Sequence, residues 1–222
     1  MYVEFSYPID PQNPILDGKL NPPRIIKRTR FTDGQSSNTS YIELFAHTGT
    51  HIDMPWHFYE KGWKINDFPI KDFVFERVLL LDLPRMASQE IGIIDLEPFK
   101  ERIQESDALL VNTGFGKAYR WNHPETYLTA TPGFSVEAAE ILASYKNLRC
   151  VGVDFTSVEN LQKNRPLGYP VHHAFLDREQ PMILLEDANL AALQASPIKR
   201  IFLFPLRIEG LEASPVTAVA EI

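Results

Sequence analysis

The sequence predicts an α/β protein built on a mixed sheet. Short, near-continuous apolar runs read as strands buried on both faces. Amphipathic stretches of helical period lie between some of them, and the opening third is richer in strand-like than in helical pattern. No repeat, low-complexity tract or Gly/Ser linker divides the 222 residues. We therefore read residues 1–222 as a single domain, long enough to bury a sizeable core.

The elements follow in chain order. Pro8–Pro23 is turn chemistry, exemplified by Asp10-Pro11-Gln12-Asn13-Pro14, and predicts a lid or a tethered arm rather than a strand. Tyr41-Ile42-Glu43-Leu44-Phe45 alternates as a strand does. Val78–Leu83, Ala108–Val111, Cys150–Val153, Met182–Leu185 and Arg200–Leu206 are the buried-strand candidates. Helices are expected over Leu96–Ile103 with Asp95 as N-cap, over Val136–Tyr145 with Ser135 as N-cap, and over Asn189–Gln194. The alternation is too irregular for a Rossmann order. Asn112-Thr113-Gly114-Phe115-Gly116 also lacks the third glycine of a dinucleotide fingerprint.

Composition excludes several classes of function. Apolar residues make up 44% and charged residues 23%, the balance of a soluble globular protein. The net charge is −7, and no Lys/Arg run exceeds two residues, so nucleic acid is an unsuitable partner. The single cysteine, Cys150, sits in an apolar run and reads as a buried structural thiol. No basic-then-apolar leader opens the chain, and no apolar run reaches the roughly 18 residues of a membrane span. A cytoplasmic protein with a small-molecule substrate is the expectation.

The chemistry concentrates in His47-Thr48-Gly49-Thr50-His51-Ile52-Asp53-Met54-Pro55-Trp56-His57, which holds three of the six histidines. A lone histidine is more often a satisfied core or surface residue than a ligand. Three with an aspartate, flanked by Phe45, Met54, Trp56 and Phe58, form a polar cluster in apolar surroundings that needs a partner. Imidazole with carboxylate suits zinc, manganese or non-haem iron and not an oxygen-only ion. His47 and His51 have zincin spacing, but Thr48 stands where a zincin carries Glu. Gly49 and Pro55 argue against a long helix. The expectation is a strand ending near His47, a tight turn, then one helical turn containing His51 and Asp53. His57 is left as an acid or base, which together with a metal describes a hydrolase.

Further ligand candidates lie in the second half. Pro170-Val171-His172-His173-Ala174 carries two histidines, and Glu186 ends an apolar strand, where a carboxylate is costly unless paired. Asp154-Phe155-Thr156-Ser157 follows a strand end, where ligand-facing loops lie. No nucleophile elbow surrounds Ser157, so a polar-pocket or capping role fits it better. His123 reads as an exposed loop residue.

These blocks resemble the cyclase family of metal-dependent hydrolases, which includes bacterial kynurenine formamidases and isatin hydrolases. Residues 47 to 57 match the family's His-x-Gly-Thr-His-x-Asp-x-Pro-x-His signature at every defined position. Family-like blocks continue at Thr113-Gly114-Phe115, Thr131-Pro132-Gly133-Phe134-Ser135, Val151-Gly152-Val153-Asp154 with Ser157, His172 with Glu186, and Pro205–Gly210 with Ser214-Pro215-Val216. The resemblance implies a swivelling β/β/α-type single domain with a mixed sheet, assembled as a homodimer or higher homo-oligomer. It implies one or two divalent ions, Zn or Mn. His47 and His51 would bind the first, His172 the second, Asp53 and Glu186 would bridge, and His57 would be the catalytic acid/base.

Three departures bear on substrate. The formamidases carry a tryptophan in the N-terminal loop, where this chain offers Ile15 as the substrate-binding wall. His173 competes with His172 as ligand, and Thr217 stands where many members have arginine. An aliphatic wall lacks ring stacking worth about 0.5–1.5 kcal/mol, so weaker discrimination for kynurenine-like rings is expected. The leading function is hydrolysis of an amide, formamide or lactam. The alternatives are a lyase or cyclase reaction on a carbonyl compound in the same site, or a non-catalytic metal-binding protein that has no use for His57.

Overall fold

The computed structural model describes residues 1–11, 22–193 and 197–222. The strands are β1 (Tyr2–Glu4), β2 (Arg24–Thr29), β3 (Thr39–Glu43), β4 (His51–Asp53), β5 (Val74–Phe75), β6 (Val78–Asp82), β7 (Glu90–Ile91), β8 (Ala108–Asn112), β9 (Gly133–Phe134), β10 (Cys150–Val153), β11 (Ile183–Glu186), β12 (Arg200–Pro205) and β13 (Ala213–Glu221). All five buried-strand candidates are strands of one mixed nine-stranded sheet, ordered β5-β12-β13-β4-β11-β10-β8-β6, with β1 on β13. β6, β8, β10 and β11 run parallel. β4, β12, β13, β5 and β1 are joined by antiparallel pairings. The α/β class with a mixed sheet is as the sequence predicts.

Alternation along the apolar runs builds two cores, because successive side chains leave opposite faces of a strand. Leu109, Val111, Val151, Val153 and Leu184 face a layer that includes Ala138, Leu142, Val171 and Phe175 of two helices. Ala108, Leu110, Cys150, Ile183 and Leu185 face the other way, against Ile52, Leu203 and Ala218 of the antiparallel half. Cys150 is buried, and burial pushes its thiol up, as a structural cysteine requires.

Local structure departs from the sequence reading at three places. Asp95 lies within the helical turn Ile93–Leu96 and its Oδ2 accepts from the Gly92 amide at 2.8 Å, so it caps from inside rather than as the N-cap. Of the Asn189–Gln194 stretch, the described residues 189–193 form a 3₁₀ turn, Leu190–Leu193, and Gln194 lies outside the described residues. His51–Asp53 is a buried strand, not a helical turn, and the helical turn follows at Pro55–His57. By contrast Ser135 caps helix Val136–Ser144 as expected, accepting from the Ala138 amide. The helix Pro170–Leu176 packs beside it on the same core.

The Tyr41–Phe45 expectation falls on β3, which pairs with β2 in a separate antiparallel hairpin. Ile25, Tyr41 and Ile42 on that hairpin, and Phe31 at its turn, are exposed. Among the described residues no helix is long and apolar enough to cross a membrane. Ile15 and the rest of 12–21 lie outside the described residues.

One glycine sets the spacing between β9 and the loop after β10. A Cβ at Gly133 would collide with the backbone of Glu159 and Asn160. Gly133→Ala is expected to destabilise the fold by about 1–3 kcal/mol. A thermal melt should show this as a Tm lowered by roughly 2–4 °C per kcal/mol.

Candidate metal centre

Strand register assembles the site. β4 lies between β11 and β13, and Glu186 pairs directly with His51 while Leu184 pairs with Asp53. Directly opposed residues share a face. His51, Asp53 and Glu186 therefore project together towards the helical layer, and Ile52 between them enters the opposite core. Ala213, a small residue of β13, opposes Asp53 on the other side. His47 comes from the turn before β4, where Gly49 takes φ 64° and lets the chain fold back. His57 comes from the turn after it, and His172 from the helix Pro170–Leu176.

The buried ligand candidates fall into two overlapping groups, His47–His51–Asp53 and Asp53–His172–Glu186. Their donor atoms lie within 4.8 Å of one another in each group, and Asp53 belongs to both. His47 Nδ1 is 2.8 Å from Asp53 Oδ1, and His51 Nε2 is 3.3 Å from the same oxygen. His172 Nε2 lies 3.7 Å from Asp53 Oδ2 and 3.3 Å from Glu186 Oε1. His173 instead points outward, half-exposed beside Asp177. Of the two neighbouring histidines, His172 is the one in the cluster.

These residues fit a divalent ion on two counts. His51 Nε2 and both Asp53 oxygens are buried without a hydrogen-bond partner, so the close contacts lack hydrogen-bond alignment. Buried polar atoms left so are expensive unless something else satisfies them. The second count lies behind the cluster. His51 Nδ1 meets the Gly49 carbonyl at 2.8 Å, His172 Nδ1 meets Glu159 Oε1 at 3.2 Å, and His47 Nε2 meets Glu212 Oε1 at 3.5 Å. His51 and His172 thus each have an acceptor on the nitrogen facing away from the cluster, and His47 has a carboxylate in ion-pair range there. That backing fixes the tautomer which turns a lone pair inward.

Electrostatics point the same way. Burial disfavours imidazolium at His47, His51 and His172, yet the neighbouring carboxylates outweigh it and raise all three, His172 to about 10. Burial likewise works against ionised Asp53 and Glu186, and the surrounding histidines nonetheless hold both low. The cluster is therefore strongly cation-seeking. His57 alone is pushed down, to about 4, because burial outweighs the pull of Asp53. Its Nε2 stands 3.9 Å from Asp53 Oδ2 and its side chain is 27% exposed, so it faces both the cluster and solvent. The half-buried rings of Phe45 and Phe58 lie 5.0 Å from His47 and 4.7 Å from His172 respectively, and Tyr169 borders Phe58 at 5.7 Å.

The other sequence candidates have structural tasks. Asp154 accepts from Thr113 and Gly116 and locks the start of the Phe115–Tyr119 helix. Ser157 accepts from the Glu159 amide, a capping role. His123 is exposed. The sequence reading missed Glu159, fully buried, which also accepts from the His172 amide at 2.9 Å and from Asn164 at 2.8 Å. Its position in the loop after parallel strand β10 was the available signal, since ligand-handling residues gather at such strand ends.

Fold and site together define an α/β protein with a buried histidine–carboxylate centre suited to a divalent ion. The Cyclase family model, described as "Putative cyclase", matches residues 3–160, and the chain belongs to that family. Kynurenine formamidase of Geobacillus thermodenitrificans is 28% identical over 225 residues, covering 98% of this chain and 95% of that protein. Kynurenine formamidase of Bacillus cytotoxicus is 31% identical over 185 residues, covering 83% and 80%. Isatin hydrolase A from Labrenzia aggregata, solved with benzyl benzoate, shares the fold with a TM-score of 0.82 at 21% identity, covering 99% of this chain and 93% of that one. A "predicted metal-dependent hydrolase" from Bacillus stearothermophilus superposes with a TM-score of 0.75 at 26% identity, covering 99% and 97%.

Glu159→Gln keeps the size and loses the charge behind His172. It is expected to weaken Mn²⁺ or Zn²⁺ binding by about 10–100-fold. Competition against a chromophoric chelator measures this, and an unchanged affinity would reduce Glu159 to a packing role.

Proposed function

We propose that this chain works as one unit, residues 1–222, and is a metal-dependent hydrolase of C–N bonds in amides, formamides or lactams. The observation that carries the reading is the set of unpartnered, buried donor atoms on His51 and Asp53, with His57 beside them. His47, His51, Asp53, His172 and Glu186 would hold one or two divalent ions, zinc or manganese. An imidazole–carboxylate set with no thiolate suits either. The named formamidase relatives support hydrolysis over the lyase or cyclase alternative.

Held by these residues, a divalent ion would supply a lowered pKa for bound water and polarisation of a carbonyl oxygen. The protein's own residues do the rest. His57, held neutral by burial, takes a proton from the attacking water at Nε2 and delivers it to the leaving nitrogen. Water adds across the bond: the carbonyl carbon gains the hydroxyl, the nitrogen gains the proton, and a formamide yields formate and an amine. Asp53 Oδ2, 3.9 Å from His57 Nε2, favours the transient positive charge on that ring. Phe45, Phe58 and Tyr169 offer ring surfaces to an aryl substrate.

The deciding experiment is turnover of N-formylkynurenine, isatin and simple aliphatic formamides before and after chelation and reloading. Activity should vanish on stripping and return with Zn²⁺ or Mn²⁺. No turnover of any substrate by loaded protein would favour a non-catalytic metal-binding role. His57→Ala should keep its metal and lose turnover by about 10²–10⁴-fold. With ring contacts worth about 0.5–1.5 kcal/mol, preference for formylkynurenine over aliphatic formamides should stay within roughly tenfold.

The reading extends to assembly and place. A two-stranded hairpin has little stability of its own. Ile25 and Ile42 are register partners on β2 and β3 and both are exposed, which suits burial against a second copy of the chain. A buried lone thiol suits a reducing cytoplasm. Sedimentation should find a homodimer or higher oligomer, and Ile25→Glu with Ile42→Glu should shift it towards monomer. A wild-type monomer at micromolar concentration would count against assembly.

A further inference from the structure

Behind the centre lies a second buried polar cluster that the hydrolytic reading does not use. Arg120 is fully buried and donates from Nε and Nη2 to the two carboxylate oxygens of Asp187, each at 2.7 Å. The Tyr127 hydroxyl donates to Asp187 Oδ1 at 2.5 Å. The rings of Tyr7 and Trp121 cover the guanidinium at 3.9 and 4.5 Å.

Asp187 directly follows Glu186 and takes φ 54°, in the left-handed region. A side chain there costs energy that glycine would not, and it persists when its surroundings over-determine it. The surroundings here do so on every side. The Asp187 amide donates to the Phe155 carbonyl at 2.8 Å. Its own carbonyl accepts from Thr50 Oγ1 at 2.5 Å, and Thr50 Oγ1 in turn accepts from the Tyr7 amide at 2.9 Å. Thr50 directly precedes His51. One hydroxyl therefore ties the residue before β4 to the residue just after β11, and His51 Nε2 stands 3.4 Å from Glu186 Oε2 next to that tie.

Stability alone does not account for this arrangement. A buried ion pair is often no better than well-packed apolar residues of the same volume, whereas it does fix geometry. We propose that Asp187 is a positioning residue for the centre: clamped by Arg120 and Tyr127, it holds the turn that aims Glu186 at His51, Asp53 and His172. The proposal rests on the metal reading above. It adds a device, assembled from Tyr7, Arg120, Tyr127 and Asp187, that sets how well the site is formed before an ion or substrate arrives.

The test is binding of Mn²⁺ alone, by chelator competition, with the melting temperature of the metal-free protein measured alongside. Asp187→Asn tolerates the turn but loses the charge pair, and should weaken Mn²⁺ roughly 10–100-fold. Tyr127→Phe removes one hydroxyl and should weaken it roughly fivefold with little change in melting. The double variant Arg120→Met, Asp187→Asn leaves no buried charge behind and keeps at 187 a side chain that tolerates the left-handed turn and can still accept from Tyr127. It should melt near the wild type while binding Mn²⁺ as weakly as Asp187→Asn. Variants that melt lower but bind Mn²⁺ as tightly as wild type would make the cluster merely structural and overturn the proposal. Should Asp187→Asn fail to fold, Tyr127→Phe and the double variant decide it. Wild-type protein that binds no Mn²⁺ or Zn²⁺ would overturn the metal reading itself, and the positioning role with it.

Discussion

The structure depends on keeping two carboxylates, Asp53 and Glu186, on one buried face of a sheet. Each has given up hydration, and each raises the energy of the other. Neutral surroundings cannot hold such a pair, so positive charge has to be built in or brought in. Three histidines converge because that is where compensation is available. Without an ion, protons taken up by the imidazoles provide it. With one, the protons leave, since metal and proton compete for the same lone pairs. The rest of the architecture secures the geometry in which this exchange is possible.

The sheet does so by joining two styles of strand pairing. The parallel half brings the carboxyl ends of β10 and β11 together, with Glu186 and the Thr156–Asn160 loop at the rim. The antiparallel half supplies β4, whose two residues facing the helical layer are both site candidates. Binding groups in α/β sheets gather where the winding changes, and here the change falls between β11 and β4. The helix carrying His172 closes over that junction from the layer that also packs the core.

Much of this was legible in the chain. The apolar runs announced the strands because both faces of each are buried, and Ser135 announced a helix because its hydroxyl has an amide to cap. The eleven-residue motif announced a centre by density alone. The misreading of His51–Asp53 is instructive: the signal for a strand was the alternation His-Ile-Asp, which Gly49 and Pro55 obscured by making the segment look like turns. Asp95 was misplaced because a carboxylate can cap from the third helical position as well as from the cap itself. Glu159 and the Arg120–Asp187 pair had no periodic signature. Arg120 and Asp187 are 67 residues apart, and their meeting is decided by how strands and helices stack.

The three supports behind the histidines differ in kind. His51 leans on a backbone carbonyl, His172 on a fully buried carboxylate, and His47 on a carboxylate at the half-open edge of the site. Evolution can rewrite a side chain, but it cannot substitute a peptide oxygen. The anchor at His51 is thus fixed by the course of the chain, while positions 159 and 212 remain adjustable. Within this lineage, divergence in metal preference and ligand basicity has two dials to turn, one sealed in the interior and one open to solvent.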